Sequence, residues 1–253
     1  MSWLRRQAQL LVCAVQFLTR VPTPALNGFQ PDWITRSARY FPLVGQGVGA
    51  LSAVVFFAAY QVWSPTLAAL LAIGVGLIVT GAFHEDGLAD TADGLGGGQT
   101  TERRLEIMKD SRVGTYGVCA LVLALALKVG ALSSLSAQAG VLTLIAAYGA
   151  GRAAALVAMR LTPYAPAGEA GKWKPTPQGV RTTEVVAGLL IAAWPLVLLS
   201  PSAVLVGVAV GGLAGLAMAK TAQRLIGGHT GDVLGAIEQV FEVGFMLGVA
   251  ALA

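Results

Sequence analysis

The sequence predicts an all-α, polytopic integral membrane helix bundle: about seven transmembrane helices plus an N-terminal interfacial helix. Three observations carry this. Of the 253 residues, 55% are hydrophobic and only 12% charged, whereas a soluble domain carries about a quarter charged. Mean hydropathy is +0.70, and the apolar residues come in runs long enough to cross a hydrocarbon core of about 30 Å. Finally, charge alternates between connections. The turns at 64–66, 133–140 and 200–202 carry none, while nearly every acid and base falls in the N-terminal region or in 84–112, 160–184 and 220–242. Spans that alternate in direction place those charged segments on one side, which the positive-inside rule makes cytoplasmic. The length leaves little room for a soluble unit, so residues 1–253 read as a single membrane-embedded domain.

Residues 3–20 form an apolar stretch with Arg5 and Arg6 at one end and Arg20 at the other. No small-residue processing site follows it, so it reads as a retained interfacial or short buried helix, not a signal peptide. Residues 27–39 read as a loop containing Pro31 and Asp32, with Trp33 as an interface anchor. The first span is 41–63, where Gly45, Gly47 and Gly49 permit close helix packing. The second is 67–83. Spans follow at 116–135 and 141–159. A polar loop at 160–181 holds Pro163, Pro166, Pro175 and Pro177, which exclude a regular helix. Spans at 185–199 and 203–219, a glycine-bearing polar segment at 220–232 and a final span at 233–253 complete the chain. Cys13 and Cys119 lie in apolar segments and read as small buried hydrophobes. The formal charge of +4 does not imply nucleic acid, because basic residues flank membrane spans for topological reasons.

The chemistry centres on HEDGLADTADG at 84–94, where Glu85, Asp86, Asp90 and Asp93 fall within nine residues. Written as a helix, Asp86, Asp90 and Asp93 lie within roughly 60° of one another around the axis. Carboxylates so crowded repel. A divalent cation removes the repulsion, and Mg²⁺ characteristically combines a few carboxylates with substrate phosphates. The plainer alternative is a solvated loop between two helices.

Two further stretches add to it. In IMKDSRVGTYG (107–117), Asp110 is a possible metal ligand, and Lys109 and Arg112 offer positive charge to phosphate oxygens; a simple positive-inside flank is the alternative. The segment from Gly227 to Ala236 is a glycine-rich loop opening a helix, where Gly231 and its neighbours present free N–H groups to an anion. Asp232 there is either a metal ligand or a helix cap. Glu238 and Glu242, one turn apart in an apolar segment, need a polar cavity or partners. Lys128 and Arg152, also within spans, either pair with acids or hold an anionic substrate. His84 and His229 are the only histidines and adjoin these motifs. Each is a candidate base or substrate contact, or else a hydrogen-bonding residue. No Ser-His-Asp spacing, Walker loop or zinc-protease motif is present. The combination suggests a membrane transferase acting on a diphosphate. Asp86, Asp90 and Asp93, with Asp110, are the candidate metal ligands. His84 or one of Asp86, Asp90 and Asp93 would deprotonate an attacking hydroxyl.

The sequence also resembles the cobalamin synthase family, the adenosylcobinamide-GDP ribazoletransferases. The matching stretches are FLTRVP (17–22), FPLVG (41–45), the acidic run, IMKDSRVGTYG and TGDVLGA (230–236), in order along most of the chain. The resemblance implies that adenosylcobinamide-GDP is joined to α-ribazole, or to its 5′-phosphate, with release of GMP and with Mg²⁺ held by Glu85, Asp86, Asp90 and Asp93, with help from Asp110 or Asp232. It also implies a multi-pass protein of the bacterial inner membrane among membrane lipid, with its site on the cytoplasmic face and homo-oligomerisation open. The acidic run is similar in style to the motif of CDP-alcohol phosphotransferases but departs from it at Asp90 and in the closeness of its later acids. A cation-coupled transporter is the rival from another class. The absence of an internal repeat and the one-sided acids argue against it.

Overall fold

The computed structural model describes residues 3–26, 28, 30, 32–165 and 179–253. Pro31, Pro166, Pro175 and Pro177 lie outside the described residues. Helix α1 is Trp3–Leu18. Helix α2 (Trp33–Ser37) continues through a 3-10 turn, Ala38–Tyr40, into α3 (Phe41–Tyr60). There follow α4 (Pro65–Thr80), α5 (Phe83–Gly97), α6 (Thr101–Ile107), α7 (Thr115–Ser133) and α8 (Ala137–Leu161). Helix α9 (Thr182–Ala193) ends in a 3-10 turn, Trp194–Leu198, and α10 (Pro201–Ile226) and α11 (Gly231–Ala250) close the chain.

The three uncharged turns work alike. Ser64, Ser136 and Ser200 each accept a hydrogen bond from the backbone N–H three residues on, capping α4, α8 and α10. Pro65 and Pro201 occupy first helical positions, where a missing N–H costs nothing. Outward-facing Leu51, Ile78, Leu190, Leu205 and Leu213 are well exposed, as lipid-facing positions of a membrane bundle are.

All seven apolar segments are helical, but they are not seven equal spans. Among the described residues five helices are long and apolar enough to cross a membrane. Another apolar segment, Thr182–Leu198, is shorter. The remaining one, α4, is followed by a break, and α4 and α5 together would make a sixth crossing were they not bent by 90°. The bend has a local cause. Ala82 donates its N–H to Leu77 and Gly81 to Ile78, a Schellman arrangement that closes α4. Gly81 (φ 67°) and Ala82 (φ 55°) are consecutive left-handed residues, and two such residues reverse the helical path. The acidic run is therefore a separate helix laid across the bundle.

Four local expectations are corrected. Residues 33–40 are helical rather than loop. Trp33 is no interface anchor: it is 4% exposed and packs with Leu10 and Cys13 of α1, because α2 folds back on α1. Cys119 is exposed on the outer side of α7, so only Cys13 is a buried hydrophobe. Of the first span's glycines, Gly45 and Gly49 seat α3 against the α8 backbone at Tyr148 and Leu144, whereas Gly47 faces open space.

Candidate active site

The two acidic motifs, more than a hundred residues apart in sequence, meet where α5 crosses the start of α11. Gly87 makes the crossing possible: a Cβ there would lie 2.8 Å from the carbonyl oxygen of Asp232, closer than atoms pack. Thr230 caps α11 by accepting the N–H of Val233 at 3.2 Å. One turn further, the buried side chains of His84 and Glu238 pair, Nε2 to Oε2, at 3.2 Å.

Two cavities flank this crossing. The smaller, about 200 Å³, has an aromatic wall of Phe17, Phe41 and Phe83, with Asp86 and Asp232 opposite. Phe17 stacks on Phe41 and meets Phe83 edge-on. The larger, about 520 Å³, is lined by Gln16, Arg20, Glu85, Asp86 and Val113. Asp86 belongs to both and is exposed. Glu85 has a buried carboxylate oxygen, Oε2, with no hydrogen-bond partner. A third, almost wholly apolar groove of about 570 Å³ lies among α8, α9, α10 and α11, with Lys220 as the sole charged residue among the described ones that line it. It lacks the acids and is not the site.

Beneath the crossing lies a buried ionic network. Glu242 Oε2 accepts from Lys128 Nζ at 2.6 Å, and Lys128 also donates to Gln239 at 2.6 Å. Arg152 Nη1 stands 3.1 Å from Glu238 and 3.4 Å from Glu242, and donates to the Tyr148 carbonyl at 2.9 Å. The ring of Tyr148 lies between the two cations, 5.8 Å from Lys128 and 5.6 Å from Arg152. Of the two readings for Lys128 and Arg152, pairing with acids is the one realised. Arg152 and Glu238 also reach the smaller cavity's wall. The network thus joins α7, α8 and α11 to His84 on α5. A buried charge of either sign alone would be strongly disfavoured there.

The other candidate residues are distributed as follows. Asp90, one turn along α5 from Asp86, is half-buried. Asp93 is buried, and its two oxygens accept the N–H groups of Gly114 (2.7 Å) and Gly117 (2.9 Å). It thereby anchors the start of α7, and the negative charge suits a helix N-terminus. Asp110 is bound to Arg112 through both its oxygens, with Nη2 at 2.6 Å from Oδ2. The guanidinium hydrogen bonds pull its carboxyl down to about 2. Neither Asp110, Arg112 nor Lys109 lines the two cavities; of this stretch, Val113 reaches the larger one. Gly231 and Asp232 do line the smaller one.

His229 serves as a strut. Its backbone pairs with that of Pro163 and Ala165 in an isolated bridge, and its ring lies edge-on to Tyr164. Thr162 Oγ1 donates to the Ala158 carbonyl at 2.8 Å and stands 2.8 Å from His229 Nδ1. A hydroxyl that gives its hydrogen to Ala158 has only its oxygen to offer the ring, as acceptor from Nδ1–H. Burial pushes this imidazole below its ordinary value, about 6.5. With the folded value depressed, the unfolded chain takes up the proton first. Stability contributed by the neutral ring is full above about pH 6.5 and declines as pH falls through that value toward the folded one. Thermal midpoints of the detergent-solubilised protein between pH 7.5 and 5.5 are expected to fall less steeply in His229→Gln than in the wild type.

Sequence reasoning missed the contribution of α1. Phe17 and Arg20 wall the cavities, and the FLTRVP stretch was the available signal.

Comparison with known proteins bears on this arrangement. The family model described as cobalamin-5-phosphate synthase matches residues 10–250. A protein of Leptothrix cholodnii, named adenosylcobinamide-GDP ribazoletransferase, is 44% identical over 98% of this chain and 97% of its own length. Proteins of the same name from Bradyrhizobium diazoefficiens and Vibrio cholerae are 43% and 40% identical over 94% and 95% of this chain, each across 92% of its own length. No solved structure matches.

Proposed function

Because the chain belongs to the cobalamin-5-phosphate synthase family, we propose that it is the adenosylcobinamide-GDP ribazoletransferase of its cell and that the crossing of α5 and α11 is where transfer occurs. It joins adenosylcobinamide-GDP to α-ribazole, or to its 5′-phosphate, and releases GMP. The observation that carries the site assignment is the contact of Gly87 with Asp232, which sets Asp86 in the wall of two cavities at once. Two substrates must converge on one phosphorus, and two cavities sharing a carboxylate suit that need.

In this reading a ribose hydroxyl that α-ribazole and its 5′-phosphate both leave free attacks the phosphorus attached to cobinamide. A new P–O bond forms, the bond to the GMP phosphate breaks, and the hydroxyl proton leaves to a base. His84 lines the smaller cavity while Glu238 holds its Nε2, so the pair is our candidate for holding that proton. The aromatic wall of Phe17, Phe41 and Phe83 offers a stacking surface to a flat base. The corrinoid is too large for either cavity and stays outside them.

The donor set fits Mg²⁺. Glu85 and Asp86 face one cavity, and Glu85 has an unpartnered buried oxygen. Among the described residues no three His, Cys, Asp or Glu side chains form a ready cage. Mg²⁺ characteristically takes one or two carboxylates and completes its octahedron with substrate phosphates and water. We assign Glu85 and Asp86 to the metal, with Asp90 and Asp232 flanking. Asp93 and Asp110 already have tasks in holding the fold. Mg²⁺ at this place would neutralise the diphosphate and stabilise the leaving phosphate. We further propose the bacterial inner membrane and its cytoplasmic face, by the charge asymmetry of the connections.

The test is GMP release by the purified protein given both substrates, with Mg²⁺ present and after chelation. Release that requires both substrates and collapses on chelation is expected. Turnover of CDP-diacylglycerol alone would overturn the activity, and undiminished release in excess chelator would overturn the metal.

A further inference from the structure

Arg20 ends the FLTRVP stretch's approach to the site, and the proposed mechanism leaves it without a task. It lines the larger cavity together with Glu85 and Asp86. Among the described residues it forms no ion pair, although two carboxylates share its cavity. Arg36, Arg39, Arg103, Arg112 and Arg152, by contrast, all pair with acids.

The position is also built. The Arg20 backbone N–H donates to the Val79 carbonyl at 2.7 Å, pinning the end of α1 to the end of α4. Gln16 Nε2 holds the chain leaving α1 by donating to Thr23 Oγ1 (2.7 Å) and the Pro24 carbonyl (3.0 Å). The Arg20 side chain then crosses Gly81, where a Cβ would stand 2.4 Å from its Nε. The glycine that turns α4 into α5 thus also makes room for the arginine. A residue serving only to mark topology needs none of this.

We propose that Arg20 binds the diphosphate of the nucleotide-linked substrate directly, its guanidinium fork taking phosphate oxygens across the cavity from Glu85 and Asp86. The inference rests on the function proposed above. A fork of N–H donors matches phosphate geometry better than any other side chain does. It also divides the labour at the diphosphate: the carboxylate side requires a divalent cation, whereas the Arg20 side meets the oxygens itself. Of the two cations expected there, Arg112 is bound to Asp110 by both oxygens, and neither Lys109 nor Arg112 lines the cavity that holds Arg20.

The test is equilibrium binding of GDP, with Mg²⁺, to the full chain in a neutral detergent free of phospholipid. Guanosine serves as the phosphate-free control. Arg20→Ala is expected to weaken GDP about tenfold or more, by loss of a charged hydrogen bond, with Arg20→Lys intermediate and guanosine unchanged. In turnover, KM for adenosylcobinamide-GDP should rise while KM for α-ribazole holds. Equal GDP affinity in wild type and Arg20→Ala overturns the proposal and leaves lipid headgroup phosphate as the arginine's partner. An equal rise of both KM values also overturns it, as a general structural effect. Should Arg20→Ala fail to fold, Arg20→Gln and Arg20→Lys give the same comparison. Wild-type turnover of adenosylcobinamide-GDP judges the activity independently of these binding results.

Discussion

Asp86→Ala is expected to abolish GMP release, by about a thousandfold or more, while the protein inserts and folds normally. The magnitude follows from losing a group that holds the cation and diphosphate at the reacting phosphorus, an effect of several kcal/mol on the barrier. The sparing of the fold follows from the side chain's surroundings. Asp86 is exposed to two cavities, and among the described residues it makes no side-chain hydrogen bond or ion pair. Its removal leaves no buried partner unsatisfied, and it relieves repulsion with Glu85 and Asp90. The check is a paired measurement of GMP release with both substrates and of the thermal midpoint in detergent. Normal release by Asp86→Ala would remove the assignment. A collapsed midpoint would show that Asp86 serves the fold.

Glu242→Ala is expected to do the reverse, destabilising the bundle by about 3–5 kcal/mol. Glu242 is 1% exposed and is the carboxylate of Lys128 at 2.6 Å. Truncation leaves a fully buried ammonium with only Gln239 as its acceptor and takes one of two acids from Arg152. Replacing both members with apolar side chains, as in Lys128→Met with Glu242→Leu, should recover most of the loss, because neither uncompensated charge then remains. Chemical or thermal denaturation of the two single variants and the double variant forms the cycle. If the double variant is no more stable than Glu242→Ala, the pair is not the origin of the effect. Residual turnover in the double variant would then report how far the network positions His84 through Glu238.

Much of the site was legible along the chain. The acidic run, the TGDVLGA segment, Glu238 and Glu242 were each identifiable because charge is rare in this sequence and therefore conspicuous. Their convergence was a reasonable expectation and is realised, but its form was not. Asp86, Asp90 and Asp93 share a helical face in projection, yet they have three different environments: exposed in the cavities, half-buried, and tied to the N–H groups of α7. Asp110 and Arg112, two residues apart, pair with each other. Hydropathy marks α1 as apolar, but only the packing of the stretch that ends and follows it brings Phe17 and Arg20 to the cavities.

What the sequence by itself determined was the class and the family. Low charge, long apolar runs and uncharged alternate turns are sums over local residues, and a membrane bundle is the only way to satisfy them. Motifs spread in order along the chain carried the family. Only the tertiary structure decided which carboxylates are free for chemistry. The 90° bend at Gly81 and Ala82 lays α5 across α11, and Lys128 meets Glu242 across 114 residues of sequence. Both are matters of distance between helices. In a low-dielectric interior an acid's role depends on which cation or N–H group lies within about 3 Å of it. Hydropathy and spacing report what a residue is, and only the packing reports what stands opposite it.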